Sequence, residues 1–337
     1  MNNLPTLPLI DGCLFIDNSS WIEGFSTCYR FLQYKSLNLR VPYADKPSLN
    51  FGSAIHLALE HRYRKYKNGY VDDQYYSEVG ELLTKFFDEH PPAAGEWRTL
   101  NWAMSVIKRY NERYDMESFS LLVDDKKEPM VELSFALPLY THTTGVWGFA
   151  TDQPPKIPII YSGRIDLPVS VGGQTFVVDH KTTSILGPSF FERMKMSAQQ
   201  KGYCWAFEQL TDVSVSGYII NAIRTKEPPA YVMYNTKQGK YTPESWWQES
   251  LQRERFLLKP GELDEWKRNT IALVEEFFHH YQSGYMPMKT TWCTQFGRCP
   301  YFDVCSMAEE DRGVMLASGM FTDNVWSPLK EPSQAKQ

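Results

Sequence analysis

The chain has 337 residues, a formal net charge of −5, and aromatic side chains in number, with 10 Trp, 20 Tyr and 19 Phe. That length supports one elaborated domain or two ordinary ones. The acidic balance excludes a uniformly basic nucleic-acid coat but not a local basic groove, and no apolar run reaches membrane-spanning length.

In chain order, residues 1–17 read as an irregular lead-in whose opening, MNNLPTLPLIDG, lacks the positive flank and long apolar core of a secretory signal. A cytoplasmic (cytosolic) or nucleoplasmic protein without membrane association is therefore expected. Residues 18–38, NSSWIEGFSTCYRFLQYKSLN, read as a short helical region containing Cys28. A helix is predicted over 52–68, where Ile55, Leu59 and Tyr63 recur at helical spacing and Gly69 stops it. His56 lies at the edge of that stripe; taken alone, such a histidine is a structural residue more often than a ligand. Arg62, Arg64, Lys65 and Lys67 interleave with Tyr63 and Tyr66, the pattern of a solvated helix end or of a phosphate-contacting patch. Two helices follow over 74–117, broken by His90-Pro91-Pro92. Strands are predicted over 130–139 and 146–150. The first carries Glu132, read as a surface residue or as a ligand acting through water.

The stretch from Tyr161 to Thr183, YSGRIDLPVSVGGQTFVVDHKTT, organises the rest. Two apolar runs flank Gly172-Gly173, a hairpin signal. The first run carries Asp166 and the second leads into Asp179-His180-Lys181. Two carboxylates on neighbouring strands repel unless a cation or proton lies between them, and a hard divalent cation is the economical answer. Lys181 is two residues beyond Asp179 and shares its face on an extended strand. Two acids and a lysine at one point suit phosphodiester hydrolysis: a metal, an activated water and a cation for developing charge.

Beyond the hairpin a helix is predicted over 189–210, with Met196, Gln199, Tyr203 and Phe207 on one face. Strands follow over 214–223 and 231–234. The run TPESWWQESLQRERFLLK (242–259) starts as a helix behind Thr242, and a long helix covers 262–282. The residues after Phe321 read as a mobile tail. Of six cysteines, Cys293, Cys299 and Cys305 crowd near the C-terminal end. In a reducing compartment they point to metal rather than disulfides. Three thiolates lack a fourth ligand, for which Cys28 is the best candidate, since Cys13 lies in the lead-in and Cys204 in a helix. The five-residue spacing is unlike the C-x₂-C knuckle of zinc ribbons and favours an iron–sulfur cluster over zinc.

Together these residues resemble the RecB-type branch of the PD-(D/E)XK nuclease superfamily. The nearest likeness is to its iron–sulfur members, such as the AddB nuclease module, the CRISPR adaptation exonucleases and phage exonucleases. The histidine of GSAIHLALEH, His56, matches the family's metal-binding histidine. GRID matches G-x-x-D at Asp166, VVDHKTT matches D-x-K-T at Asp179 and Lys181, and QQKGY matches Q-x-x-x-Y at Gln199 and Tyr203. One early and three late cysteines match the 4Fe-4S ligands: Cys28, Cys293, Cys299 and Cys305. Many members have a two-residue first gap in the late set, so zinc stays open as the alternative.

The resemblance implies an α/β fold with a restriction-endonuclease-like central mixed sheet flanked by helices, its N-terminal helical region tied to the C-terminus by the cysteines. The implied organisation is a lead-in (1–17), a helical part (18–128), a nuclease core (129–290), the cysteine cluster (291–306) and a tail (307–337). The implied activity is a Mg²⁺- or Mn²⁺-dependent DNA exonuclease. Its metal would be held by His56, Asp166, Asp179 and the backbone carbonyl of His180. Lys181 would act on the nucleophile, with Gln199 and Tyr203 positioning it or the phosphate. DNA with free ends is the expected partner, with a recombination or helicase protein beside it, in a bacterial or phage-infected cell. The alternatives are a non-catalytic DNA-binding subunit and a structure-specific endonuclease.

Overall fold

The computed structural model describes residues 4–42, 47–66, 71–143, 156–226, 242–295 and 297–323. The expected strands over 146–150 and 231–234, together with Lys67 and Gly69, lie outside these residues. The chain divides into two units, each assembled from separate stretches. Residues 1–44, 134–163 and 261–337 form one, and residues 45–133 with 164–260 the other.

In the first unit, β1 (Leu14–Ile16) lies inside the expected irregular lead-in. Its three apolar side chains are buried, and burial of that size outweighs the weak local pattern. The helical region that follows is broken into α1 (Glu23–Thr27) and α2 (Tyr29–Leu32) by Cys28, which has extended backbone with φ −157° and ψ 120°. A short β2 (Arg40–Pro42) ends this part of the chain.

The second unit opens with α3 (Pro47–His61), which passes into a wider turn at Arg62–Tyr66. Then come α4 (Asp73–Glu89), capped by Asp72, and α5 (Leu100–Arg113), capped by Thr99. In α4 the buried residues Tyr75, Val79, Leu83 and Phe87 are each four apart, one stripe of an amphipathic helix. Arg62 is neither a solvated helix end nor a phosphate contact. It is fully buried and bonds Asn111 and the Tyr114 carbonyl. After β3 (Ser120–Leu121) comes β4 (Leu133–Thr143), which starts later than expected. Glu132 precedes it with φ +51°, a conformation no regular strand accommodates.

The acid–lysine strand is built as the hairpin signal predicts. β5 (Lys156–Ile165) and β6 (Leu167–Val171) are separated by a bend at Asp166. β6 pairs antiparallel with β7 (Gln174–Thr183) across Gly172 and Gly173, whose φ values of 58° and 80° are those of a type I′ turn. The helix expected over 189–210 is two, α6 (Pro188–Lys195) and α7 (Ala198–Thr211). Met196 sits at the break, 76% exposed, rather than on the apolar face. β8 (Gly217–Arg224) then pairs parallel with β7. Only the first half of 242–259 is helical, as α8 (Pro243–Ser250). The second half is β9 (Leu251–Leu257), antiparallel to β8. Pairing decides this: Phe256 lies opposite Tyr218 with rings stacked 5.1 Å apart, a cross-strand contact that helical propensity cannot match.

The result is a mixed five-stranded sheet ordered β3-β6-β7-β8-β9. Phe176 and Val178 of β7, with Ile219 and Ile223 of β8, join the core formed by α3, α4 and α5. The alternate face of β7 and β8 is covered by α7. Back in the first unit, α9 (Glu262–Gln282) is followed by α10 (Phe302–Ser306), α11 (Arg312–Leu316) and β10 (Phe321–Asp323). β10 pairs with β2, and β1, β5 and β4 form a three-stranded sheet. The fold is thus α/β, a central mixed sheet flanked by helices. Among the described residues no helix is long and apolar enough to cross a membrane.

Gly217 admits no side chain, because a Cβ there would lie 2.0 Å from the Phe256 carbonyl oxygen. Gly217→Ala should therefore destabilise the protein by about 2 kcal/mol or more, as overpacking against backbone does, measured by denaturant unfolding.

Candidate active site

Strand alternation divides Asp179-His180-Lys181 between the two faces of the sheet. Asp179 and Lys181 face α7. Asp179 is 2% exposed. Its carboxylate accepts from Lys181 Nζ at 2.8 Å and from Gln200 Nε2 at 2.9 Å. Lys181 Nζ also donates to Gln199 Oε1 at 2.6 Å, and Gln199 Nε2 donates to the Tyr203 hydroxyl at 2.9 Å. Gln199 and Tyr203 are one helical turn apart, so the tyrosine sets the amide that sets the lysine. Gln200 is a site residue that sequence reasoning missed. Its neighbour Gln199 carried the motif, and nothing local marks Gln200 as fully buried beside an acid.

His180 faces α3 instead, and its backbone N–H donates to Asp166 Oδ2 at 2.7 Å. The Asp166 carbonyl in turn accepts from the backbone N–H of Glu132 at 2.8 Å. This places Glu132 beside the site rather than on a surface strand. Its side chain is 10% exposed and bonds Arg164 Nε at 2.9 Å. His56 Nδ1 lies 3.7 Å from both Glu132 Oε1 and Asp166 Oδ2. One ligand atom from each of His56, Glu132 and Asp166 lies within 4.8 Å of the others, a grouping able to hold a metal ion. Asp179 is not in that group: its oxygens are taken by Lys181 and Gln200. The positive φ of Glu132 could not be read from VELSFAL, whose alternation continues straight through it.

Charge is concentrated here under burial. Burial holds the Asp166 carboxyl above the usual range, with Asp179 and Glu132 adding to the effect and His56 and Lys181 opposing it. For His56 burial works against the imidazolium, but Asp166 and Glu132 outweigh it and its pKa rises. His180 moves the other way. Burial, with His56, Arg253, Lys181 and Arg62 nearby, keeps it neutral.

An imidazole nitrogen and two carboxylates suit Mn²⁺ and, with fewer protein ligands, Mg²⁺. Both Asp166 and His56 hold protons to higher pH than free side chains, and a ligand must release its proton. Metal binding should therefore release protons near neutrality, and Mn²⁺ affinity should climb through about pH 7 and on to about pH 9, where Asp166 and then His56 lose their protons. Titration calorimetry in buffers of different ionisation enthalpy measures both; an affinity flat over that range would contradict the assignment.

In the first unit, Cys28, Cys293, Cys299 and Cys305 line one cavity of about 210 Å³. The extended backbone of Cys28 between α1 and α2 turns it toward the late cysteines, and the Lys289 backbone N–H donates to its Sγ at 3.5 Å. Burial raises the Cys299 thiol and takes Cys305 up to about 11, neighbouring cysteines adding to both. The buried Arg30 guanidinium opposes the rise at Cys305. Four soft sulfur donors lining one cavity suit a thiolate-bound metal.

A family model for the PD-(D/E)XK nuclease superfamily matches residues 19–306. No curated protein matches the chain. Among solved structures, one described as a "putative exonuclease" from Eubacterium rectale is 12% identical, covers 85% of this chain and 88% of its own, and has a TM-score of 0.45. Another, SSO0001, is 12% identical, covers 77% of this chain and 95% of its own, and has a TM-score of 0.29.

Proposed function

Because the chain belongs to the PD-(D/E)XK nuclease superfamily, we propose that this nuclease is a metal-dependent DNA exonuclease working in recombination, repair or phage DNA processing. The observation that carries the reading is the meeting of His56, Glu132 and Asp166, joined through the His180 N–H to the strand bearing Asp179 and Lys181. A dication there would be held by His56, Asp166 and Glu132, with the His180 carbonyl and, once released by Lys181 or Gln200, Asp179 as further ligands. Such an ion would supply Lewis acidity for the scissile phosphate and would favour deprotonation of the attacking water.

The chain's own residues do the rest. The Lys181 side chain is 26% exposed while bonding Asp179, so it lies between the carboxylate behind it and a phosphate in front. Gln199 and Tyr203 restrict where that ammonium can point, which conserves the orientation that charge stabilisation needs. Gln200 holds Asp179 from behind. DNA with free ends is the substrate, and a recombination or helicase protein is the natural source of such ends.

Asp179→Ala and Lys181→Ala should each reduce cleavage at least 100-fold, on the order of losing one charge-stabilising group, with the thermal midpoint little changed. On circular single-stranded DNA the wild type should leave the circle intact while degrading the linear form. Cutting of the circle would assign an endonuclease, and binding of ends without cleavage in Mg²⁺ or Mn²⁺ would assign a non-catalytic subunit.

The four-cysteine cavity supports a structural 4Fe-4S cluster, with zinc as the competing occupant. Anaerobic preparations should be brown with a broad visible absorption, and Cys299→Ala should lose both colour and solubility. Colourless protein containing one zinc per chain would decide for zinc.

A further inference from the structure

Beneath the acid–lysine strand, one transverse row of side chains crosses the sheet. Arg253 on β9 lies opposite Asn221 on β8, and Asn221 lies opposite His180 on β7. All three therefore project to the α3 face. Arg253 is held by Glu117, which is completely buried, and by the Tyr110 hydroxyl at 2.7 Å. Arg253 Nε donates to Asn221 Oδ1 at 2.9 Å. A guanidinium has only donors, so this bond settles which way the amide faces. Asn221 Nδ2 is thereby turned to His180 Nδ1 at 2.7 Å and to the Tyr110 hydroxyl at 2.9 Å. The His180 Nδ1 then accepts, and the ring proton sits on Nε2.

His180 is fixed on its other sides as well. Tyr63 stacks on it with 4° between the planes and centroids 5.7 Å apart, and His56 meets it edge-on at 77° and 6.0 Å. His180 thus touches the metal group twice, through its ring at His56 and through its backbone N–H at Asp166.

We propose that Asn221 is a positioning residue of the metal site, setting the place of both His56 and Asp166 through the ring and backbone of His180. The inference rests on the metal-dependent reading above. Asn221 itself bonds none of His56, Glu132 and Asp166. Its role is to fix the histidine that touches two ligands, as outer-shell hydrogen bonds do at metal centres.

The test is Mn²⁺ affinity of the full chain, followed by electron paramagnetic resonance and calorimetry, for wild type, Asn221→Ala and Asn111→Ala. Asn111 belongs to the same buried polar network, bonding Arg62 and Tyr76, but makes no bond to His180. It reports what general loosening of that network does. Asn221→Ala should lose about 10- to 100-fold in Mn²⁺ affinity and alter the bound-Mn²⁺ spectrum. Asn111→Ala should be less stable but bind Mn²⁺ as wild type does. If the alanine variant does not fold, Asn221→Thr, β-branched and suited to a strand, takes its place. Unchanged affinity in the Asn221 variant, or an equal loss in both, overturns the inference while leaving the metal site standing. A wild type that binds no Mn²⁺ removes the metal reading itself.

Discussion

One hydrogen bond, from the His180 backbone N–H to Asp166 Oδ2, ties the two acid-bearing strands together at the point where chemistry is expected. Asp166 can receive it because a bend separates β5 from β6. The same bend offers the Asp166 carbonyl to Glu132. That contact holds Glu132 at a positive φ, an unfavourable conformation of the kind that persists where surrounding structure over-determines it. A buried carboxylate with few donors would be costly alone. Here the backbone N–H and two nearby cations share the burden.

The strand that supplies this N–H is gripped from both faces, and each grip uses a different physics. Toward α7 the contacts are polar and charged, running from Asp179 through Lys181 to Gln199 and Tyr203. Toward α3 they are aromatic, with the neutral His180 ring between Tyr63 and His56. His180 stays neutral first because burial desolvates an imidazolium, with repulsion from His56, Arg253, Lys181 and the buried Arg62 adding to it. Glu117, fully buried, bonds Arg253 and lies 3.8 Å from Arg62. Removing Glu117 would leave two uncompensated guanidinium groups, a change that typically costs several kcal/mol.

The other unit uses its polar chemistry differently. Its chain is brought together from both ends of the sequence, with β2 paired to β10 and Cys28 placed beside cysteines some 270 residues later. Tyr301 packs with Tyr34 and Phe321 next to those cysteines. The small apolar cluster is modest, and a metal centre of the kind proposed for the cysteines would add stability by closing so long a loop.

The sequence by itself determined the hairpin, the helix carrying His56, the Gln199–Tyr203 pair and the grouping of late cysteines. Each is written in short-range terms: a two-glycine turn, a period of 3.6, a spacing of four, a local crowding of thiols. Only the tertiary structure decided that Glu132 joins His56 and Asp166, that Gln200 backs Asp179, that 251–257 is a strand, and that Arg62 is buried. Those outcomes depend on partners distant in sequence. A neighbouring strand captured residues whose local propensity was helical, and a bend at Asp166 turned an unremarkable glutamate inward. Neither cause is present in the residues it acts upon.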